Sequence, residues 1–363
     1  MWAHAWCPTR EPALSTTASA RRAGKLPRAD YITLARGGGG RASEELIEEV
    51  FIPAFSNAIL DTMSDSAIID APENGKLAFS TDTFVIDPIF FPGGDIGSLA
   101  VHGTVNDIAV SGGVPKYMSA GFVLEEGFPI SDLKKIAASM GEAAKSCGVS
   151  IVTGDTKVVA RGGADKVFIN TSAIGFAPEG IKLSPKRVEE GDLIIVSGTI
   201  GDHGIAILTL RKGLEFKTEI VSDSQPLNRL VEAMLEAEPD IRMMRDPTRG
   251  GLSATLNEIA KASGKGIVID EKALPIKQSV SAVCEILGLD PLNVANEGKL
   301  VAFAPQESAG KVLETMRDNP AGRQAAIIGR VGGAGPGRVE MKTAFVGNRI
   351  VEPLVGDQLP RIC

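Results

Sequence analysis

The chain has 363 residues, long for a single hydrophobic core, so two domains are expected. Hydrophobic residues make up 44% and charged residues 23%, with no apolar run long enough to cross a bilayer, which describes an ordinary soluble globular protein and excludes a membrane-spanning one. A net charge of −7, with basic residues concentrated only over 10–28, excludes a general nucleic-acid binder, which needs clustered Lys and Arg.

Residues 1–30 read as a disordered leader, rich in Ala, Arg, Ser, Thr and Pro, with Glu11 as the one acid before Asp30 and without the apolar stretch of a secretory signal. An organelle transit peptide shares this composition; a disordered leader or a start codon set too early is the reading adopted. An N-terminal domain is then expected over 31–180. It opens at 31–34 and runs through Arg36 and four glycines, Gly37 to Gly40, into a helix through Glu44, Leu46, Ile47, Val50 and Phe51. Glycines leading into a helix can form an anion-binding lip, although the GxxxxGK[ST] spacing is missing. Strands are predicted at 77–80, 84–86, 117–124, 150–152 and 167–174. Helical spacing runs through Leu99, Val101, Val105, Ile108 and Ala109, and a second helix over 131–147 has Ser131 as its cap.

A linker near 178–190 leads to a C-terminal domain over 181–331, with strands at 192–198, 266–269, 300–303 and 325–330 and helices at 203–211, 227–236 and 252–262. Glycine rises after Val331, and 332–363 reads as a mobile tail that ends on Cys363. Strands and helices mix without a strict βαβ rhythm, which predicts an α+β fold.

Cys7, Cys147, Cys284 and Cys363 lie far apart with no CxxC pair, which suggests neither a zinc site nor a disulfide framework and fits a reducing cytoplasm. Cys147 and Cys284 fall on apolar helical patterns, where free Cys behaves as a small hydrophobe. Cys363 does not; Arg361 would lower its thiol pKa and the terminal carboxylate would raise it. With three His and no HExxH, any metal is expected to be hard and oxygen-bound. Asp82, Asp107 and Asp155 each sit where a strand meets a loop or helix, with Lys157 close behind the last. Converging carboxylates suit Mg²⁺ on a nucleotide, while turns and caps are the competing use of each Asp. His102 reads as a satisfied core or interface residue. His203 opens a helix from a loop and could reach a ligand. The stretch from Arg245 to Gly251 is either a domain hinge or an anion contact, and Glu297 either a solvated turn acid or a general base.

The strings AFSTDTFVIDPIFFPGGDIG, GTVNDIAVSG, GFVLEEGFP, IVTGDTKVV, VSGTIGDHG, RDPTRGG, NEGKLV and the terminal PRIC closely resemble the HypE family of hydrogenase maturation factors from about residue 32 to 363. That family shares a superfamily with aminoimidazole ribonucleotide synthetase, selenophosphate synthetase and thiamine-monophosphate kinase. The resemblance implies a two-domain α+β subunit of aminoimidazole ribonucleotide synthetase-like architecture, with a flexible C-terminal tail. It implies a homodimer formed through the N-terminal domain, with ATP in a groove near that interface. It also implies a reaction: the carbamoyltransferase HypF loads a carbamoyl group onto Cys363, ATP phosphorylates its oxygen, and loss of phosphate leaves a protein thiocyanate. The cyano group then passes to iron on the HypC–HypD scaffold for a [NiFe]-hydrogenase. On matching positions, Asp82, Asp107 and Asp155 become ligands of Mg²⁺ and ATP, with Gly38, Gly39, Asn106 and Thr156 as further nucleotide contacts. Lys157 and Glu297 become proton-transfer groups beside the tail. The chain departs from the family in reading Arg36-Gly37 where members commonly have His-Gly, and in its leader. Two rivals remain at this point: a related small-molecule kinase with no need of Cys363, and a non-enzymatic carrier that presents it.

Overall fold

The computed structural model describes residues 30–37, 41–64, 66–72, 74–214, 220–345, 347–352 and 362. The leader up to residue 29, Gly38, Gly39 and Cys363 therefore lie outside the described residues. The N-terminal half runs through α1 (Arg41–Leu46), α2 (Ile52–Phe55), β1 (Lys76–Phe84), the short pair β2 (Phe90–Phe91) and β3 (Gly94–Asp95), α3 (Ile96–Val110), β4 (Val114–Glu125), α4 (Ile130–Cys147), β5 (Ser150–Val159) and β6 (Val167–Ala177). The C-terminal half adds β7 (Leu193–Val196), α5 (Asp202–Arg211), α6 (Asn228–Ala237), β8 (Met243–Arg245), α7 (Gly251–Ser263), β9 (Ile267–Asp270), α8 (Gln278–Leu287), β10 (Val301–Ala304), α9 (Ala309–Asp318), β11 (Ala326–Val331), β12 (Val339–Lys342) and β13 (Asn348–Ile350).

Two sheets organise these elements, one of four strands in the order β1-β6-β4-β5 and one of seven in the order β13-β12-β9-β11-β7-β10-β8. Among the described residues only β4–β5 and β12–β9 pair in parallel, so the fold is α+β, as expected. In the four-stranded sheet Met118, Ala120, Phe122 and Leu124 of β4 and Ile169 and Ala173 of β6 point inward, by the two-residue alternation of a half-buried strand. The opposite face is open: Leu77 and Phe79 of β1 are 60% and 69% exposed. No helix among the described residues is long and apolar enough to cross a membrane.

Helix α3 sits between the halves. The Asp95 carboxylate accepts from the Gly97 and Ser98 amides, and Ser98 Oγ accepts from the Asp95 amide, which closes the first turn. Twelve of its fifteen residues are buried, because it packs on β1 and β6 on one side and on α6 and β8 on the other. A helix apolar all round is one covered all round. In α4, by contrast, Leu133, Ile136, Ala137 and Met140 are buried and Lys134, Lys135 and Lys145 lie on the outer face.

Two expectations need correction. Pro129, not Ser131, precedes α4; its fixed φ of −66° and extended ψ of 130° lead the chain into the helix one residue early, which leaves Ser131 inside the first turn. The tail expected over 332–363 is also too long. β12 pairs with β9 and β13 with β12, and Val339, Met341 and Val351 are buried in the core of the larger sheet. The glycines before β12 form turns, not an arm: Gly332 and Gly333 have φ of 102° and 82°, where a side chain would be strained.

Candidate functional site

Carboxylates gather at the C-terminal end of α3. Ser80 Oγ of β1 donates to Asp107 at 2.7 Å, which ties the helix to the strand that carries Asp82. Burial raises the Asp107 pKa and the neighbouring Asp82 charge adds to it, with Ser80 and Arg245 pulling the other way. Asp246, which follows β8, joins this group. Burial, then the charges of Asp107 and Asp82, push its carboxyl up to about 7. Arg249 approaches Asp82 at 3.8 Å from the same turn. Among the described residues no three acids, His or Cys form a ready-made metal cage. Hard oxygens that repel one another nevertheless suit a divalent cation, and Mg²⁺ completes its shell with phosphates and water.

The same helix face leads inward. Gly103, Asn106 and Asp107 are neighbours at helical spacing. A side chain at Gly103 would press to within 2.9 Å of the Phe84 ring, and Glu297 Oε2 lies only 4.0 Å from where its Cβ would stand. Asn106 Nδ2 donates to the Gln225 and Glu297 carbonyls at 3.1 and 3.3 Å, and its Oδ1 accepts from the Leu227 amide at 2.8 Å. Both amide hydrogens are thereby committed to backbone of the C-terminal half. Glu297 is buried, and its amide donates to Asp223 Oδ1 at 3.2 Å. Asp223 pairs with Lys299 at 3.1 Å, both almost fully enclosed. Burial opposes the Asp223 charge, but Lys299 chiefly, with His203 and the Glu297 amide, holds its pKa below the usual carboxylate value. A cavity of about 290 Å³ opens beside Asp223 and Lys299, lined also by Gly198, Thr199 and Arg323.

His203 closes this interior. It stands buried in the first turn of α5, with Nδ1 2.7 Å from Ser222 Oγ and Nε2 2.7 Å from the carbonyl oxygen of Ile362. Burial lowers its pKa, with Asp223 and the Ile362 carbonyl working against that. The Ile362 side chain is buried in the cluster that holds Ile207 and Ala295. The residue before Cys363 thus lies at the interface of the two halves.

A third region lies along β5. A cavity of about 340 Å³ runs under α1 and α2 and is lined by Gly37, Phe51, Phe122, Asp155, Thr156 and Lys157. Lys157 Nζ donates to Asp155 Oδ1 at 2.9 Å, both exposed, and this contact more than any other lowers the Asp155 pKa. Arg36 borders the same cavity and approaches Glu49 at 3.7 Å.

The structure therefore gathers Asp82 and Asp107 and adds Asp246, which the sequence reading left inside a stretch read as a domain hinge or an anion contact. Within one chain it does not bring Asp155 to them: β6 and β4 lie between β1 and β5. Lys157 and Glu297 likewise line different regions, and Asn106 braces the halves. Glu297 is no solvated turn acid. His102 is a satisfied side chain, bonded through Nδ1 to Ser224 Oγ at 3.1 Å and pushed down to about 4 by burial. Cys147 and Cys284 are buried, as expected.

Residues 63–177 match the family model described as AIR synthase related protein, N-terminal domain, and residues 189–342 match its C-terminal domain. The carbamoyl dehydratase HypE of Azotobacter vinelandii is 54% identical over 332 residues, which span 92% of this chain and 97% of that protein. Among solved structures, hydrogenase maturation protein HypE in complex with ATP superposes with a TM-score of 0.88 at 50% identity, covering 91% of this chain and 99% of the other. A HypE–HypF complex gives 0.75 at 48% identity, covering 85% and 99%.

Proposed function

This chain belongs to the HypE family of AIR synthase related proteins, and from that premise we propose that it is an ATP-dependent carbamoyl dehydratase acting on its own C-terminal cysteine. HypF loads a carbamoyl group onto the Cys363 sulfur. The carbamoyl oxygen attacks the terminal phosphorus of ATP and ADP departs. One proton leaves the nitrogen as the oxygen is phosphorylated, and loss of phosphate from carbon, with the second nitrogen-bound proton released alongside it, then leaves the thiocyanate, whose cyano group passes to iron on HypC–HypD. An amide oxygen is a poor leaving group, so dehydration needs this phosphorylation, and phosphoryl transfer is mostly positioning and charge stabilisation.

Asp82 and Asp107, with Asp246 beside them, would hold Mg²⁺, which offsets phosphate charge. Asp155, Thr156 and Lys157 contact the nucleotide from β5, beside Gly37, and the matching family positions add Gly38 and Gly39 as contacts. Glu297 accepts a proton from the carbamoyl nitrogen. The single observation that carries the reading is the burial of Ile362 between the halves, hydrogen-bonded to His203 and one residue before the sulfur. The open sheet face supports a homodimer: Asp155 and Lys157 pair with Gly121 and Val123, on the face that bears Phe79, so a second copy seated there would lie against the nucleotide groove. A cytoplasmic setting fits the free thiols.

The test is the intact mass of the full chain incubated with HypF, carbamoyl phosphate and ATP, beside a Cys363→Ala control. One carbamoyl group that becomes a cyano group only with ATP, with neither change in the control, is the expected result. No Cys363-dependent change would overturn the reading.

A further inference from the structure

We infer that His203 is a positioning residue that sets the register of the chain end, gripping position 362 so that the Cys363 sulfur is delivered one residue beyond; this rests on the dehydratase reading above. The two hydrogen bonds of the imidazole fix one another. Ser222 Oγ already accepts from the Ser224 amide at 3.1 Å, so its own proton is available for His203 Nδ1. Nδ1 is then the acceptor, Nε2 carries the ring hydrogen, and Nε2 donates to the Ile362 carbonyl. The ring is also wedged. Phe91 of β2 meets it edge-on at 5.6 Å and 88°, and the Ser222 amide donates to the Pro92 carbonyl at 2.9 Å, which holds the 222–224 segment against the same hairpin.

Both nitrogens being committed, His203 has no lone pair or proton left for the reacting group, which separates it from Glu297. What it binds is also informative. A backbone carbonyl exists whatever residue stands at 362, so the hydrogen bond reads position along the chain and not side-chain identity. The burial of the Ile362 side chain in the apolar cluster supplies the second reading, of size and polarity. Together they measure distance from the chain end: neighbouring Cα atoms are about 3.8 Å apart, so a gripped residue 362 confines the next residue to that radius. Glu297 is tied to the same place, because its amide bonds Asp223, the residue after Ser222. Anchor and base therefore share one short segment.

The test reads thiol access and uses neither ATP nor HypF. In full-length protein carrying Cys7→Ser, Cys147 and Cys284 are buried with thiols pushed up to about 11, so Cys363 is the thiol that iodoacetamide should reach first. Loss of one hydrogen bond predicts Cys363 alkylation roughly threefold to tenfold faster in His203→Leu than in the parent, followed by intact mass. His203→Gln, whose side-chain amide can donate from nearly the same point as Nε2, should stay near the parental rate. Ile362→Ser, which alters the chain end and leaves the core of both halves in place, should match His203→Leu and serves if the latter does not fold. Equal rates in the parent and Ile362→Ser would overturn the anchor. A Gln variant as fast as Ile362→Ser would overturn the hydrogen-bond role. Protection that depends on His203, found together with no conversion of carbamoyl to cyano, would remove the dehydratase reading and leave the anchor standing.

Discussion

Two lysine–aspartate pairs in this molecule have nearly the same length and opposite physics. Lys157 and Asp155 meet at 2.9 Å on an edge strand with side chains 64% and 69% exposed; Lys299 and Asp223 meet at 3.1 Å with 7% and 3% exposed. In water the first pair gains about 0–1 kcal/mol, so either partner exchanges readily for a phosphate or a cation. Enclosing the second pair carries a desolvation penalty of several kcal/mol per ion, offset only while both partners stay in place. The exposed pair is a place for a ligand to occupy. The enclosed pair is a strut that ties the 222–225 segment to the 297–299 turn.

The sharpest way to break this contrast is Lys299→Met. It leaves Asp223 as an uncompensated buried charge, and the expected loss is about 3–5 kcal/mol, read as a lower urea midpoint. Adding Asp223→Leu should restore most of it; an unchanged midpoint in the single variant would place both pairs in one class. A smaller effect comes with pH. Burial lowers the pKa of both His203 and His102, the latter to about 4. Below about pH 6.5 the unfolded chain binds protons that the folded chain refuses, so stability is complete above that value and declines as pH falls through it. His203→Gln removes one of these contributions, and its urea midpoint should fall less steeply than that of the parent between pH 7 and 5. The smallest change is expected for Lys157→Met, within about 0.5 kcal/mol of the parent because the site is exposed. The same variant should slow cyano-group formation, measured by intact mass; parental turnover would take Lys157 out of the reaction.

What the sequence disclosed divides along a similar line. Features made within a few residues were legible: the alternation in β4 and β6, the apolar run of α3, and acids flanked by small or polar residues, although Asp82 and Asp155 lie inside β1 and β5 and Asp107 inside α3, not where a strand meets a loop or helix. Asp82 and Asp107 follow from that kind of signal. Asp246 does not, because its carboxylate matters only once β8 packs on α3, a contact between the two halves. His203 was legible as a residue at the mouth of a helix, but its partner is 159 positions away. Asn106, which the resemblance made a nucleotide contact, also has a structural task that no local signal announces: its amide spans to Gln225, Glu297 and Leu227. In 332–350, glycine content outweighed two short strands, since three or four alternating residues carry little periodicity of their own.

Helix α3 has a mechanical consequence. Its last residues, Ala109 and Val110, share a core with Leu227, Leu230, Val231 and Met234, so parting the halves would bare a cluster in which each large side chain contributes about 1.5–3 kcal/mol. Asn106 would lose its three backbone partners in the same movement. The body therefore behaves as a workbench and not as a jaw: it does not clamp down on what it processes, and travel is left to the workpiece, which in the dehydratase reading is the end of the protein's own chain.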